Sequence, residues 1–368
     1  MTYVHELPDW PVFRWDEMGI AALLARIRHR QGRLVGRMEG LGFALRKDAE
    51  LETLTLDVLK SSEIEGEHLD PESVRSSLAR RLGMDAGGTL PADRRVDGVV
   101  EMMLDATQNF ERPLSAERLF GWHAALFPTG RSGMRRIIVG AWRDDAQGPM
   151  QVVSGPAGRE LVHYEAPPAS RLDLEMSRFF AFANDTASAT DPVLKAALAH
   201  LWFVTIHPFD DGNGRIARAI ADWQLARSEG SAQRFYSMSA QVRQERDQYY
   251  DILECTQRGT LEITPWMTWF LECLGRALDS TEIALGAVLA KARFWERHAR
   301  AALNGRQRDM LNRLLDSFAG KLTTTKWAAL EKCSHDTALR DIQDLVEREL
   351  LNKDPGGGRS TSYSLRGD

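Results

Sequence analysis

Hydrophobic residues recur at helical spacing through most of the chain, and one stretch is apolar on every side. The run from Val193 to Val204 predicts a helix that is buried all round. Pro208 ends this helix, because proline disfavours helical geometry in the residue before it. A second helix is predicted over residues 213–227, with apolar positions at Ile216, Ile220, Trp223 and Leu225. The pattern therefore indicates a mainly α fold.

The first 95 residues are also helical in pattern. An amphipathic stretch runs from Glu17 to Leu45, and a further helical stretch begins near Leu51, with Gly66 placed to end it as a C-cap. Residues 86–91 have the glycine and proline content of a linker. We therefore expect an N-terminal helical domain over residues 1–95, followed by a core over residues 96–290.

From residue 291 onward the pattern indicates a separate unit. Helices are predicted from Gln307 to Phe318, from Thr325 to Leu330 and after a Ser334 cap. The inward positions of the third helix are Ala338, Leu339, Ile342, Leu345 and Val346. A glycine-rich turn at residues 355–359 leads into a short polar segment at residues 360–365. Three helices and a hairpin resemble a winged helix, which we expect over residues 291–368.

One region of the core lacks helical spacing. Its short β-branched segments are Arg136–Val139, Met150–Gly155 and Leu161–Tyr164, with turn residues at Pro156, Ala157 and Gly158. This predicts a β-hairpin just before the buried helix, which by itself would be an ordinary surface feature.

The composition is that of a globular protein, with 43% hydrophobic and 27% charged residues among 368. Its three cysteines, Cys255, Cys273 and Cys333, lack the spacing of a metal site. No apolar run is long enough to span a bilayer, and the first residues lack the pattern of a secretion signal. We therefore expect a cytoplasmic protein.

The residues after the buried helix combine groups that suit phosphate chemistry. His207 has the ordinary pKa of a general base near neutral pH, and Asp211 offers the hard oxygen that Mg²⁺ prefers. Gly212, Asn213 and Gly214 precede a helix start, which favours an anion. Taken singly, each of these residues is more often structural, and two arginines on a helix usually form a solvated face. Their concentration within twelve residues favours a site.

The segment from His207 to Arg218 resembles the signature HPFx(D/E)GNGRxxR of the Fic family at every specified position. The resemblance implies a Fic-type helical core that moves AMP from ATP to a hydroxyl of a target protein. It implies that His207 deprotonates the hydroxyl and that Asp211 holds Mg²⁺. It further implies that Gly212, Asn213 and Gly214 form an anion hole, with Arg215 on the β-phosphate, Arg218 on the γ-phosphate and Phe209 as a core anchor. Doc-like kinases have a lysine where this chain has Gly214, so the glycine favours AMP transfer over phosphorylation.

An upstream segment resembles the inhibitory motif (S/T)xxxE(G/N) of Fic proteins at Ser61, Glu65 and Gly66. Read alone, it is an acidic helix end. The resemblance implies that Glu65 pairs with Arg218 and so occupies the place that a γ-phosphate needs. Some relatives also use this glutamate to remove AMP, which the sequence leaves open.

The resemblance also implies a nucleotide side and a target side of the site. It implies that the hairpin is a flap to which a segment of the target protein binds as an additional strand. Val153, Ser154 and Gly155 of this flap would line the nucleotide. Tyr249, Tyr250 and Gln257 are expected near the adenine and ribose, although paired tyrosines usually pack in a core. His163 is interpreted as an exposed polar residue of the flap and not as a catalytic residue.

Partners beyond ATP and a target protein are less determined by the sequence. Residues 291–368 carry 15 basic and 11 acidic residues, a net +4, against −9 for the remainder (32 minus 41). This excess fits DNA contact through Arg340 and Arg359, but also an ordinary surface. A homodimer is left open. Alternative functions are a DNA-binding regulator with a nucleotide-sensing core, AMP removal, and transfer of UMP or phosphocholine; an intact His207 and Asp211 argue against a core that only senses.

Overall fold

A computed structural model describes residues 2–40, 43–84, 93–155, 159–298, 301–315, 318, 320–355 and 361–366. The chain divides into two compact units, Met1–Ser280 and Thr281–Asp368. The predicted boundaries near residues 95 and 290 stay predictions.

The first unit is mainly helical, as the spacing predicts. Its helices in chain order are α1 (Glu17–Glu39), α2 (Phe43–Ile64), α3 (Pro71–Arg81), α4 (Arg94–Gln108), α5 (Ala116–Leu126), α6 (Leu172–Asn184), α7 (Pro192–Ile206), α8 (Asn213–Glu229), α9 (Met238–Gln244), α10 (Arg246–Gln257) and α11 (Thr264–Arg297), the last of which continues past the division between the units.

Helix α7 is the centre of this unit. Every residue from Val193 to Ile206 is buried, because neighbouring elements cover the helix on all sides. Asp191 caps its start by accepting a hydrogen bond from the Val193 N–H, 2.8 Å away, and Pro192 takes the first helical position, where a missing N–H costs nothing. Helix α8 packs against α7, so the loop between them is held at both ends by buried helices.

The N-terminal helices begin and end at different residues from those predicted. The amphipathic stretch from Glu17 to Leu45 is not one helix, because α1 ends at Glu39 and Gly40 follows it. Glycine is among the weakest helix formers, which accounts for the break. Helix α2 starts at Phe43, earlier than the predicted start near Leu51, and Gly66 follows its end with a φ of +80°, as a C-cap glycine does.

The non-helical region contains two hairpins where one was predicted. Strands β1 (Arg131–Ser132) and β2 (Arg135–Arg136) pair with each other, and β3 (Gln151–Ser154) pairs separately with β4 (Leu161–Glu165). Residues 137–139 do not form the predicted strand, because the Ile138 N–H donates to the Asp210 carboxylate, 2.8 Å away. The turn predicted at residues 156–158 lies outside the described residues.

The second unit has three further helices and a small sheet. Helices α12 (Gly305–Leu315), α13 (Thr324–Leu330) and α14 (His335–Glu347) enclose a core with the strands β5 (Leu322–Thr323), β6 (Leu351–Lys353) and β7 (Ser362–Leu365), which form an antiparallel sheet in the order β5-β7-β6. Of the predicted inward positions on α14, Ala338, Ile342 and Leu345 are fully buried and Leu339 is half-buried. The glycine-rich turn at residues 356–358 and Arg359 lie outside the described residues, and the winged-helix assignment stays a prediction.

Among the described helices, none is both long and apolar enough to cross a membrane.

Replacing Leu345 with alanine should loosen the second unit. Leu345 is fully buried, so the cavity costs about 3 kcal/mol, whereas Leu339→Ala removes a half-buried side chain and costs about 1 kcal/mol or less. Hydrogen exchange of the peptides that cover α12 and α14 measures both effects in the full chain. Equal protection in the two variants would contradict this description of the core.

Candidate active site

The loop between α7 and α8 is strained at its first residue and tied at its centre. His207 ends α7 in the left-handed region, with a φ of +51°, which is uncommon for a residue with a side chain. Asn213 closes the loop, because its amide accepts from the Phe209 N–H at 3.0 Å and donates to the Phe209 carbonyl at 2.8 Å. The side chain of Asn213 therefore holds the loop, and only its backbone N–H is left for an anion.

Phe209 is the core anchor of the loop, as the resemblance implied. Its ring is fully buried and stacks on His123 with ring centroids 4.2 Å apart. Trp142 and Phe120 complete the cluster at 5.1 and 6.3 Å. The His123 ring also approaches the Asp211 carbonyl, 3.2 Å away, so one buried side chain supports two residues of the loop.

The surroundings of His207 favour a neutral ring with one free nitrogen. Its Nδ1 lies 3.1 Å from the Val204 carbonyl oxygen, which can only accept, so Nδ1 carries the hydrogen. Burial lowers the pKa of His207 to about 4, and the nearby Arg143 guanidinium acts in the same direction. Nε2 is therefore unprotonated near neutral pH and has the lone pair that a general base needs.

Arg143 ties the backbone of the loop to the residues that follow strand β4. Its Nε donates to the His207 carbonyl at 2.8 Å, and a terminal nitrogen donates to the Pro167 carbonyl at 2.5 Å. The backbone N–H of Arg143 donates to the Pro208 carbonyl at 2.9 Å. The Asp145 carboxylate lies 2.9 Å from the Arg143 guanidinium and balances its charge. Nothing in the local sequence of Arg143 indicates these distant partners, so the sequence does not predict its role.

The two aspartates of the loop point to different neighbours. Asp211 accepts hydrogen bonds from the Ser132 hydroxyl and, at 2.5 Å, from the Gly212 N–H, while Asp210 accepts from the Ile138 N–H at 2.8 Å. Within the described part of the chain, no three side chains of the His, Cys, Asp or Glu type cluster as a metal site would require. A metal held at Asp211 would therefore need ligands from a substrate or from water.

The start of α8 is open to an anion. Gly212 precedes it with a φ of +79°, and no side chain caps the helix. The first N–H groups of a helix have no partner within it and carry the positive end of its dipole. A Cβ on Gly212 would lie 2.9 Å from the Phe127 ring, so glycine is required there for space as well as for conformation.

Arg218 is buried on α8 and paired with Glu65 from the end of α2. Its Nη2 lies 2.7 Å from Glu65 Oε1, while Nε donates to the Ser61 hydroxyl at 3.0 Å and Nη2 also donates to the Ser61 carbonyl at 2.8 Å. Burial by itself would lower the pKa of Arg218, but the Glu65 carboxylate raises it above its ordinary value. The side chains of Ser61 and Glu65 thus share one guanidinium.

Arg215 is paired in the same way with a residue that the sequence reasoning missed. Its Nη1 lies 2.7 Å from Glu67 Oε2, and its guanidinium lies over the Phe127 ring at 5.1 Å. Gly66 reverses the chain between the two glutamates, and the Glu67 N–H donates back to the Ser62 carbonyl at 3.0 Å. The turn therefore presents Glu65 to Arg218 and Glu67 to Arg215. The signal available in the sequence was the second acidic residue of the turn, Glu67, directly after Gly66.

Gly214 lies directly against the Glu65 carboxylate. A Cβ at this position would be 2.1 Å from Glu65 Oε1 and 3.3 Å from a terminal nitrogen of Arg218. Any side chain at Gly214 would displace Glu65, so the absence of a side chain here permits the ion pair as well as close approach by a ligand.

The residues expected on the nucleotide side are divided between the core and the flap. Tyr249 is buried beside Arg218, and its hydroxyl lies 2.9 Å from His200 Nε2. Gln257 is also buried and donates to the Thr205 hydroxyl at 3.3 Å. Tyr250 is half-buried, with its hydroxyl 3.5 Å from the Ile64 carbonyl.

The flap hairpin β3–β4 has two different faces. Val153 lines a groove of about 820 Å³ together with Val162 and Asp210. Ser154 points instead toward His163, and Gly155 follows it with a φ of +99°. His163 is not merely exposed flap polarity, because its ring lies 2.6 Å from both the Ser154 hydroxyl and the Glu254 carboxylate on α10.

In the second unit, Arg340 is exposed on α14. Arg359 is outside the described residues, so DNA contact stays a prediction, as does a homodimer.

Comparisons with known proteins agree with this architecture. The profile described as the Fic/DOC family matches residues 113–225, and a domain of unknown function (DUF4172) matches residues 3–84. The protein adenylyltransferase Fic of Culex quinquefasciatus is 36% identical over 241 residues, covering 63% of this chain and 42% of that protein. The Drosophila melanogaster protein of the same name is 36% identical over 114 residues, 31% of this chain and 22% of that protein. The chain therefore spans less than half the length of these relatives.

Solved structures show the same fold. A Fic family protein from Desulfovibrio desulfuricans matches with a TM-score of 0.52 and 19% identity, covering 94% of this chain and 96% of that one. Fic-1 from C. elegans matches with a TM-score of 0.51 and 19% identity over 74% of each chain. Together with the profile match and the motif loop between α7 and α8, these matches show that residues 113–225 form a Fic/DOC domain within a Fic-type fold.

Proposed function

We propose that this chain transfers AMP from ATP to a hydroxyl of a target protein. The observation that carries the proposal is a pair of buried, incompletely satisfied arginines beside an uncapped helix start. Nε of Arg215 and Nη1 of Arg218 are buried without a hydrogen-bond partner among the described residues. Buried guanidinium donors are costly unless an acceptor arrives, and phosphate oxygens are the acceptors that their geometry suits.

The proposed reaction also needs a general base. His207 Nε2 accepts the proton of the target hydroxyl while the hydroxyl oxygen bonds to the α-phosphorus. The bond from the α-phosphorus to the bridging oxygen breaks, and pyrophosphate leaves. Arg143 fixes the position of His207 through its carbonyl, so the ring needs little reorganisation. The names of the 36% identical relatives support the same chemistry.

Asp211 fits the role of a magnesium ligand. It directly precedes Gly212 at the open helix start, and Mg²⁺ bound with a nucleotide commonly uses one or two protein carboxylates plus phosphates and waters. When bound, the ion would neutralise phosphate charge. Ser132 and the Gly212 N–H orient the carboxylate that would hold it.

Inhibition within the chain is part of the proposal. Both arginines that would bind the β- and γ-phosphates are paired with carboxylates from the turn after α2. ATP must displace or share these pairs, so the described arrangement is a resting one. AMP removal and transfer of other groups stay predictions that a product analysis by mass would separate.

Replacing Glu65 with glycine should raise self-labelling by ATP labelled on its α-phosphate. The variant frees Arg218 and the space beside Gly214, and we expect an increase of roughly tenfold or more, equivalent to about 1.4 kcal/mol. Adding His207→Ala should remove the signal by removing the base. Equal labelling of the wild type and the Glu65 variant would contradict the inhibitory role.

Replacing Glu67 with glutamine should lower the KM for ATP. In the Glu65→Gly background, the neutral side chain no longer holds Arg215, and we expect a decrease of roughly fivefold, because the pair is only partly exposed. Glu63→Gln is the matched control, since Glu63 pairs with Lys60 and Arg243 instead. A higher KM in the Glu67 variant would mean that Glu67 positions Arg215 for ATP.

The rate should keep its full value well below pH 6.5. Burial lowers the pKa of His207 to about 4, so its ring stays neutral and able to accept a proton down to that range. Removing Glu65 also removes a charge that raises this pKa, so the shift persists in the active variant. The kcat of Glu65→Gly measured against pH should decline near pH 4. A decline centred near pH 6.5 would show that His207 is not buried in this way.

A further inference from the structure

A buried histidine on α7, which the proposed reaction does not use, lies behind Arg218. The side chain is His200, which is 3% exposed. Its Nδ1 lies 3.2 Å from the carbonyl oxygen of Ala217, the residue directly before Arg218 on α8. Its Nε2 lies 2.9 Å from the Tyr249 hydroxyl on α10. One ring therefore links α7, α8 and α10 beside the arginine that would bind the γ-phosphate.

The partners of His200 determine which ring nitrogen carries the hydrogen. The Ala217 carbonyl can only accept a hydrogen bond, so Nδ1 carries the hydrogen. Burial lowers the pKa of His200 to about 3, and the nearby Arg218 charge acts in the same direction, so the ring is neutral near neutral pH. Nε2 then has a lone pair and accepts from the Tyr249 hydroxyl.

The direction of the Tyr249 hydroxyl follows from this bond. Its hydrogen points to His200, so the lone pairs of its oxygen are left for its other polar neighbour, Arg218. Burial raises the pKa of Tyr249, and the Arg218 guanidinium beside the hydroxyl acts in the opposite direction. The negative end of the hydroxyl dipole therefore faces the guanidinium.

Packing holds the His200 ring in this orientation. The ring stacks on Trp266, with centroids 5.6 Å apart and an interplanar angle of 21°. Trp266 is fully buried, and its Nε1 donates to the Ala197 carbonyl 2.9 Å away, so the stacking partner is itself fixed to α7. A ring with partners on both nitrogens and on one face has little freedom to turn, which is how a supporting side chain fixes a binding group.

Tyr249 differs from Glu65 in that a nucleotide would not need to displace it. The Glu65 side chain is 30% exposed and carries a full negative charge at the place that a phosphate would take. Tyr249 is neutral and 2% exposed, so it can stay against Arg218 when phosphates bind. Because a buried guanidinium without partners is costly, a partner that stays in place stabilises Arg218 in both states.

We propose that His200 is a positioning residue for ATP, which acts through the Tyr249 hydroxyl to hold Arg218 in place for the γ-phosphate. The assignment rests on the function proposed above. Without an acceptor at the position of Nε2, the Tyr249 hydroxyl has no fixed direction and can turn its hydrogen toward the guanidinium. The resulting loss affects ATP, whose γ-phosphate meets Arg218, and spares AMP, which ends at the α-phosphate.

Calorimetric titration with ATP and with AMP tests this role in the full chain carrying His207→Ala and Glu65→Gln, which removes both turnover and the competing carboxylate. His200→Leu should raise the Kd for ATP roughly tenfold, as expected for a lost hydrogen bond at a charged group, and should leave the Kd for AMP unchanged. His200→Gln keeps an amide oxygen that can accept from Tyr249, so it should recover most of the affinity for ATP.

Two further variants separate positioning from a general loss of stability. Tyr249→Phe removes the other end of the contact and should raise the Kd for ATP as His200→Leu does, with no further rise in the double variant. Gln31→Leu is the matched control, because it removes hydrogen bonds from a buried side chain to Glu229 and Tyr236 and should change neither Kd. An equal rise for ATP and AMP after His200→Leu, no rise for ATP, or the same rise after Gln31→Leu would overturn the proposal.

The contact behind Arg218 is also tested without nucleotide, by nitrogen NMR of the full chain with isotope-labelled histidine. His200 should show a neutral ring with its hydrogen on Nδ1, and Tyr249→Phe should shift its Nε2 resonance by removing the donor. A hydrogen on Nε2, or no shift in the Tyr249 variant, would overturn the inference. The expected shift in a chain that binds no ATP, with or without Glu65, would instead contradict the proposed function and leave the contact between His200 and Tyr249 intact.

Discussion

The arrangement depends on the need of two buried arginines for negative partners. Arg215 and Arg218 project from the same face of α8, and burial makes an unpaired guanidinium costly. In the described state Glu65 and Glu67 supply that charge from a single turn. ATP would supply it from its phosphates. In the proposed function the same donors serve both partners, so that binding of nucleotide and release of the turn would be one equilibrium.

The turn can compete because α2 is fixed to the core. Asp57, two turns before Glu65, is buried and accepts from the Ser237 hydroxyl at 2.5 Å and from the Ser239 N–H at 3.1 Å. Further along α8, Asp222 lies 2.9 Å from Arg234, and burial together with the nearby Asp57 carboxylate raises the pKa of Asp222. The Asp57 contacts fix α2 against the start of α9, so Glu65 reaches Arg218 without ordering a loose segment.

The sequence could predict what depends on local chemistry and could not predict distant partners. The end of α7 at His207 follows from the proline after it, and the end of α2 follows from Gly66. The role of Phe209 as a core anchor followed from the family resemblance. Arg143 carried no such signal, because its partners are 24 and 64 residues away. The strand predicted over residues 137–139 failed for a related reason, since Asp210 takes the Ile138 N–H that a strand would have used.

Competition for Arg218 is tested most directly by comparing ATP with AMP, which lacks the β- and γ-phosphates. Calorimetric titration of both nucleotides, in chains carrying His207→Ala to prevent turnover, gives their Kd with Glu65 and with Glu65→Gln. If Glu65 competes with the γ-phosphate for Arg218, the Glu65 variant binds ATP roughly tenfold more tightly while its Kd for AMP is unchanged. An equal change for the two nucleotides, or none for ATP, would contradict it.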